Sequence, residues 1–182
     1  MPQGSGKWQE IRVELHGIKF EGDKAKDIKV HDNFMMCTQP QPDKEWDWVA
    51  VTPLNLGTNN PNAMNEIYNN KFVAVTTYKQ TRHGGYGNTG NWACTVYLVT
   101  KAGAPEEGKY YAYIHDNEFI SNDLMIGSGG DANPALGLRV EKNTFTLGEN
   151  PTAKPSVFFR IPDPLKAQIL KGDNKFVGIK PE

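Results

Sequence analysis

Residues 71–100 read KFVAVTTYKQTRHGGYGNTGNWACTVYLVT and contain two strand-like runs on either side of a glycine-rich stretch. Both runs, KFVAVTTYK at 71–79 and WACTVYLVT at 92–100, are rich in the β-branched and aromatic residues that favour strands. Glycine and asparagine between them are typical of a loop that reverses the chain direction. The stretch therefore predicts a β-hairpin with a long connection between two antiparallel strands.

The glycines at 85–90 also match the G-x-G-x-x-G pattern of nucleotide-binding loops. A dinucleotide site needs a helix directly after the glycines, because the helix N-terminus receives the pyrophosphate. Here a strand-like run follows instead. A kinase glycine loop does lie between strands, but it requires His-Arg-Asp and Asp-Phe-Gly motifs that this sequence lacks. No motif identifies a reaction, and we expect a protein without enzymatic activity.

Short runs with β-strand alternation recur along the rest of the chain, separated by Gly, Pro, Asn and Asp. They lie at 11–15, 28–30, 109–115, 137–141, 144–147, 156–161 and 175–179. Two short helices are predicted, one beginning at Asn60-Pro61 and one at Asp163-Pro164, the latter with Leu165 and Ile169 on one face. Many short strands of this kind favour an all-β fold, and we predict an antiparallel β-sandwich of the jelly-roll type.

No long linker divides the sequence, so residues 1–182 are expected to form one domain, with an N-terminal arm at 1–7 and a C-terminal segment at 172–182. A weak internal similarity relates KVHDNF at 29–34 to YIHDNEF at 113–119. It fits an ancient duplication, and it fits chance equally well because Asp and Asn are common where strands end.

Composition restricts the partners that we expect. The chain carries 20 basic and 21 acidic residues, and this balance does not favour direct binding to nucleic acid. It has no apolar run long enough for a membrane helix and no signal peptide. Both cytoplasmic synthesis and a mature form of an exported or virion protein fit this pattern. Cys37 and Cys94 are interpreted as two buried thiols, with a single disulfide as the alternative.

Two groups of residues are candidates for binding. Aromatic, amide and cationic side chains in the glycine-rich stretch and on a later strand are expected to contact a partner or ligand; they are Arg82, His83, Tyr86, Asn88, Trp92, Tyr111 and Tyr113. Oxygen ligands suited to calcium crowd a second segment; they are Asp116, Asn117, Glu118, Asp123 and Asp131. No cofactor is required by the sequence, and calcium is the one that it favours.

Two functions fit these features. The first is a structural subunit that assembles with copies of itself through aromatic-rich β surfaces, as capsid, decoration, tube or appendage proteins do. The second is a carbohydrate-binding module or lectin, either with or without calcium as a cofactor. A lectin concentrates its aromatic residues beside polar groups, whereas a self-assembling subunit exposes them in a flat apolar patch. The position of the aromatic residues therefore discriminates between a homo-oligomer and a glycan-binding protein.

Overall fold

The structure is a computed structural model that describes residues 12–39, 48–76, 92–98, 100–128, 132–149 and 159–180. In this part of the chain fourteen strands and one helix follow one another. They are β1 (Arg12–Glu21), β2 (Lys29–His31), β3 (Phe34–Gln39), β4 (Trp48–Gly57), β5 (Asn65–Tyr68), β6 (Lys71–Thr76), β7 (Trp92–Leu98), β8 (Ala112–His115), β9 (Glu118–Ser121), β10 (Leu124–Ser128), β11 (Leu138–Glu141), β12 (Thr144–Leu147), β13 (Phe159–Arg160), α1 (Asp163–Lys171) and β14 (Lys175–Val177).

The strands form three sheets in which all pairings are parallel. Sheet A has the order β1-β4-β7-β10-β13, sheet B the order β2-β5-β8-β11, and sheet C the order β3-β6-β9-β12-β14. The chain visits A, B and C in turn and then starts the next rung, which makes a parallel β-helix of five rungs. The predicted antiparallel β-sandwich of jelly-roll type is therefore wrong.

The predicted hairpin shows where the sequence reasoning failed. Its two strands were located well, since β6 begins at Lys71 and β7 begins at Trp92. They do not pair, however, because β6 lies in sheet C between β3 and β9, whereas β7 lies in sheet A between β4 and β10. A parallel pair needs a long crossover, and here each crossover is made of the strands of the other two sheets.

The corner between sheets B and C is built from a repeated pair of residues. The first residue of the pair has a positive φ of 54° to 56°, as at Asp32, Asn69, Asp116 and Lys142. The second is an asparagine, at positions 33, 70, 117 and 143, and Asn174 follows at the end of the fifth rung. Asp and Asn tolerate positive φ better than other non-glycine residues, which is why strand-ending Asp-Asn pairs recur here.

The five asparagines form a ladder of hydrogen bonds along the helix axis. The backbone N–H of Asn70 donates to Oδ1 of Asn117 at 2.9 Å, and the N–H of Asn117 donates to Oδ1 of Asn143 at 3.0 Å. The amide group of Asn117 also donates to the carbonyl oxygens of Ile67 and His115. Successive ladder asparagines are 37, 47, 26 and 31 residues apart. The similar segments at 29–34 and 113–119 thus occupy equivalent corners two rungs apart.

The interior is filled by aligned apolar side chains. Phe72, Phe119, Phe145 and Phe176 point inward from sheet C and stack at centroid distances of 5.6, 5.0 and 5.5 Å. In the fifth rung α1 replaces the strand of sheet B, and its buried residues Leu165 and Ile169 join the core. The helix predicted at Asp163-Pro164 is confirmed. The one predicted at Asn60-Pro61 is wrong, because these residues lie in the connection before β5.

Candidate functional site

The outward side chains of sheet B form a continuous polar and aromatic surface, which we name the sheet-B face. Inward residues of the four strands, such as Ile67 and Ile114, are fully buried, so the alternate positions point to solvent. Strand register aligns these outward residues in two rows. One row consists of Lys29, Glu66, Tyr113 and Arg139, and the other of His31, Tyr68, His115 and Glu141.

Three rings of the second row stack along the helix axis. His31 and Tyr68 have centroids 4.9 Å apart and an interplanar angle of 7°. Tyr68 and His115 follow at 5.3 Å and 8°. Rings on adjacent strands meet in this way because parallel strands in register lie about 4.8 Å apart. The ring faces therefore cover one another, and the His31 side chain is 46% exposed whereas that of His115 is 16% exposed.

Both histidines of the row contact the aspartate that follows them. Nδ1 of His31 lies 2.7 Å from Oδ2 of Asp32, and Nδ1 of His115 lies 2.7 Å from Oδ2 of Asp116. The positive φ of each aspartate turns its carboxylate back toward the preceding ring. His115 also places Nε2 3.4 Å from Oε1 of Glu66, so both of its nitrogens contact a carboxylate.

Among the acidic residues of the sheet-B face, Glu66 makes the most contacts with charged or titratable side chains. Its Oε2 lies 3.0 Å from Nζ of Lys29, and its Oε1 faces His115. The hydrogen bond from Lys29 lowers the pKa of Glu66, with a smaller contribution from His115. The same bond raises the pKa of Lys29. Glu66 is thus held as a carboxylate at neutral pH and remains partly exposed, at 25% of its side chain.

Tyrosines and an arginine extend the surface toward the fourth rung. The hydroxyl of Tyr113 donates to Oε2 of Glu141 at 3.3 Å, and its ring packs on His115 at 4.1 Å. Partial burial and the negative charge of Glu141 raise the pKa of Tyr113, which stays a neutral donor. Tyr110 meets Tyr113 edge to face, and the guanidinium carbon of Arg139 lies 5.0 Å from the Tyr110 ring centre.

The sheet-B face presents polar groups that can form hydrogen bonds. It offers tyrosine hydroxyls, histidine nitrogens and carboxylate oxygens on four neighbouring strands. With neutral histidines its charge is negative, because two cations, Lys29 and Arg139, face four carboxylates.

The residues predicted to bind a partner are distributed differently from expectation. Arg82, His83, Tyr86 and Asn88 lie outside the described residues, and Trp92 begins β7 in sheet A, away from the sheet-B face. Tyr113 lies on the sheet-B face. Tyr111, in contrast, is completely buried in the core, and burial raises its pKa to about 12. The structure therefore does not bring Tyr111 and Tyr113 together on one surface.

The five residues predicted to bind calcium are also separated. Asp116 contacts His115, and the Asn117 side chain is buried in the asparagine ladder. Glu118 forms an ion pair with Lys71 at 2.9 Å on the outer side of sheet C. Asp123 is buried at a different corner, where it accepts a hydrogen bond from the N–H of Ala93, and Asp131 lies outside the described residues. Among the described residues no three acidic, histidine or cysteine side chains are grouped as metal ligands.

A repeated sequence pattern predicts which residues lie side by side on the sheet-B face, and the expectations drawn from the sequence did not include it. An Asn-x-Phe pattern recurs at 70–72, 117–119, 143–145 and 174–176 and marks the corner of the second to fifth rungs. The residue two positions before each of the first three asparagines is Tyr68, His115 or Glu141, which lie side by side on the sheet-B face. Aligning the chain on this pattern would have assembled the row.

The two cysteines are both free, Cys37 half-buried and Cys94 fully buried, so the disulfide alternative is wrong. In the described ranges no helix is long and apolar enough to cross a membrane. Comparison with protein-family models, with curated proteins and with solved structures found no match for this chain.

Proposed function

We propose that this protein binds a neutral carbohydrate chain on the sheet-B face, without catalysing a reaction. One observation carries the proposal. The tyrosine and histidine rings of the sheet-B face are at least partly exposed and lie among carboxylates and cations rather than in an apolar patch. Of the two functions expected from the sequence, carbohydrate binding is the one that this arrangement favours.

The shape and charge of the sheet-B face narrow the ligand. Four parallel strands extend about 14 Å along the helix axis, which suits an elongated oligosaccharide. Recognition rests on hydroxyl, imidazole and carboxylate groups that bond sugar hydroxyls, because the stacked ring faces are covered by their neighbours. Uronic acids and sulfated sugars are disfavoured, since the four carboxylates would repel them.

The test is a glycan array that includes neutral and uronate oligosaccharides, followed by calorimetric titration with the best neutral ligand. Tyr113→Phe removes one hydroxyl group from the sheet-B face, and we expect the affinity to fall about 2- to 10-fold. Glu66→Gln removes a charge from the sheet-B face and should weaken binding at least as much. The matched control is Glu118→Gln, which removes the same charge from sheet C and should leave the affinity unchanged.

Two results would overturn the proposal. One is a lack of binding to any neutral saccharide at millimolar concentration. The other is an equal loss of affinity in the Glu66 and Glu118 variants, which would place the site elsewhere. Repeating the titration with millimolar calcium and with EDTA tests the predicted calcium dependence.

A further inference from the structure

Exposed apolar side chains are concentrated on one strand. In the described part of the chain four large apolar side chains are more than a third exposed: Phe34 at 65%, Met36 at 56%, Val177 at 39% and Leu170 at 38%. The two most exposed, Phe34 and Met36, are both on β3 and point to the same side of sheet C. Pairs of exposed apolar residues on one strand mark interaction sites more often than scattered ones do.

β3 is also an edge strand without the usual protection. It lies at the end of sheet C, and no other described strand pairs with its outer edge. Its sequence, FMMCTQ, contains no charged residue, no proline and no glycine. Natural edge strands normally carry such residues, because an unguarded edge pairs with other chains. The opposite edge strand of the sheet, β14, has only three residues and begins with Lys175.

The asparagine ladder, like the edge strands β3 and β14, differs between the two ends of the molecule. Oδ1 of Asn70, Asn117, Asn143 and Asn174 each accepts a hydrogen bond from the preceding rung. No described group donates to Oδ1 of Asn33, which is exposed beside β3. At the far end α1 covers sheet B, and the N–H of Asn174 is bonded to the carbonyl of Gly172. The last rung is thus closed over sheet B by α1, whereas no described element closes the first rung.

We propose that β3 pairs with β3 of a second copy of this chain, antiparallel about a two-fold axis. Pairing centred on Met35 places Phe34 opposite the second copy's Met36, and the reverse contact follows by symmetry. β3 is self-complementary, because it has no charge to repel the β3 strand of a second copy and its two exposed apolar residues contact each other in the pair. The two-fold contact occupies the β3 edge of both copies, so the product is a dimer and not a fibre.

The dimer is expected to be weak. In this register only residues 34–36 of each β3 strand pair, and so short a contact buries less surface than the roughly 1,200 to 2,000 Å² of a standard stable interface. A dissociation constant of about 1 to 100 μM follows from an interface below this size. The inference is independent of carbohydrate binding, because it concerns sheet C and its measurement contains no saccharide.

The experiment is sedimentation velocity on the whole chain at concentrations from about 1 to 300 μM, which bracket this range of dissociation constants. Met36→Lys places a charge on the β3 edge and should leave a monomer at every concentration. Val177→Lys is the matched control: it replaces an exposed apolar residue in the same row of sheet C, at the closed end, and should still dimerise. Circular dichroism establishes that each variant is folded.

A concentration-dependent shift from monomer to dimer, lost in Met36→Lys but kept in Val177→Lys, supports the proposal. A wild-type chain that stays monomeric at the highest concentration overturns it. Equal dimerisation of the Met36 and Val177 variants overturns it too, because the contact would then lie on another surface. Particles that grow beyond the dimer would refute the closed two-fold arrangement.

Discussion

Replacing Asn117 by alanine tests whether the asparagine ladder holds the rungs together. The side chain of Asn117 is buried in the middle of the ladder. Its Oδ1 accepts from the N–H of Asn70 at 2.9 Å, and its Nδ2 donates to the carbonyl oxygens of Ile67 at 2.9 Å and His115 at 2.8 Å. The substitution removes the partner of these three backbone groups at once, together with the side-chain bonds that Asn117 makes with Asn70 and Asn143.

The expected loss of stability follows from these three backbone groups. The N–H of Asn70 and the carbonyl of Ile67 become buried without a partner, whereas the carbonyl of His115 is only partly buried. An unsatisfied buried polar group costs about 1 to 3 kcal/mol. We therefore expect Asn117→Ala to lower the free energy of unfolding by about 2 to 6 kcal/mol. This is a large part of the total free energy of unfolding of a typical domain, which is roughly 5 to 15 kcal/mol.

The control is Asn33→Ala, because Asn33 follows the same His-Asp pair but lies at the open end of the ladder. Its side chain is exposed, and we expect a loss below about 1 kcal/mol. Urea unfolding followed by circular dichroism gives both values, since the midpoint shifts with stability when the slope is unchanged. Similar midpoints for the two variants would refute the reasoning that burial within the ladder decides the cost.

Three further predictions concern other parts of the fold. Gly172→Ala should lower stability by roughly 1 to 3 kcal/mol, because the new Cβ would overlap a backbone carbonyl oxygen of β11; an unchanged melting temperature would contradict this. Burial raises the pKa of Cys94 more than that of the half-buried Cys37, so iodoacetamide should modify Cys37 first in the native protein. Mass spectrometry of both sites checks the order, and equal rates would count against it. The lowered pKa of Glu66 means that its bond with Lys29 adds stability above the unfolded pKa of 4.5 and loses it as the pH falls through the lower folded value. Glu66→Gln should therefore destabilise the protein at pH 7 but not at pH 2, and an equal loss at both values would contradict the assignment.

The local structure was largely readable from the sequence. Alternation located most strands, including β12 at 144–147, and the Asp163-Pro164 start with Gly172 beyond the end located α1. These features depend on neighbouring residues, which a single sequence displays. The low net charge is also determined by the sequence alone, because it is a sum over residues and does not depend on which residues contact one another.

The pairing of the strands could not be read in this way. A half-buried strand shows the same alternation whether its neighbours are parallel or antiparallel, and β6 and β7 look like a hairpin because they are successive. Rung lengths that vary from 26 to 47 residues between ladder asparagines hid the repeat. Asp-Asn pairs at the corners resemble ordinary turn residues until the register shows that their side chains are stacked.

The candidate site depends even more on the tertiary structure. His31, Tyr68 and His115 are far apart in the sequence and become neighbours only because three rungs align them at the spacing of parallel strands. Tyr111 and Tyr113 are close in sequence and yet end in different environments, one in the core and one on the surface. Local sequence thus determined which segments are strands, because strand propensity and alternation are local properties. The fold decided which side chains meet, because those contacts are made between rungs.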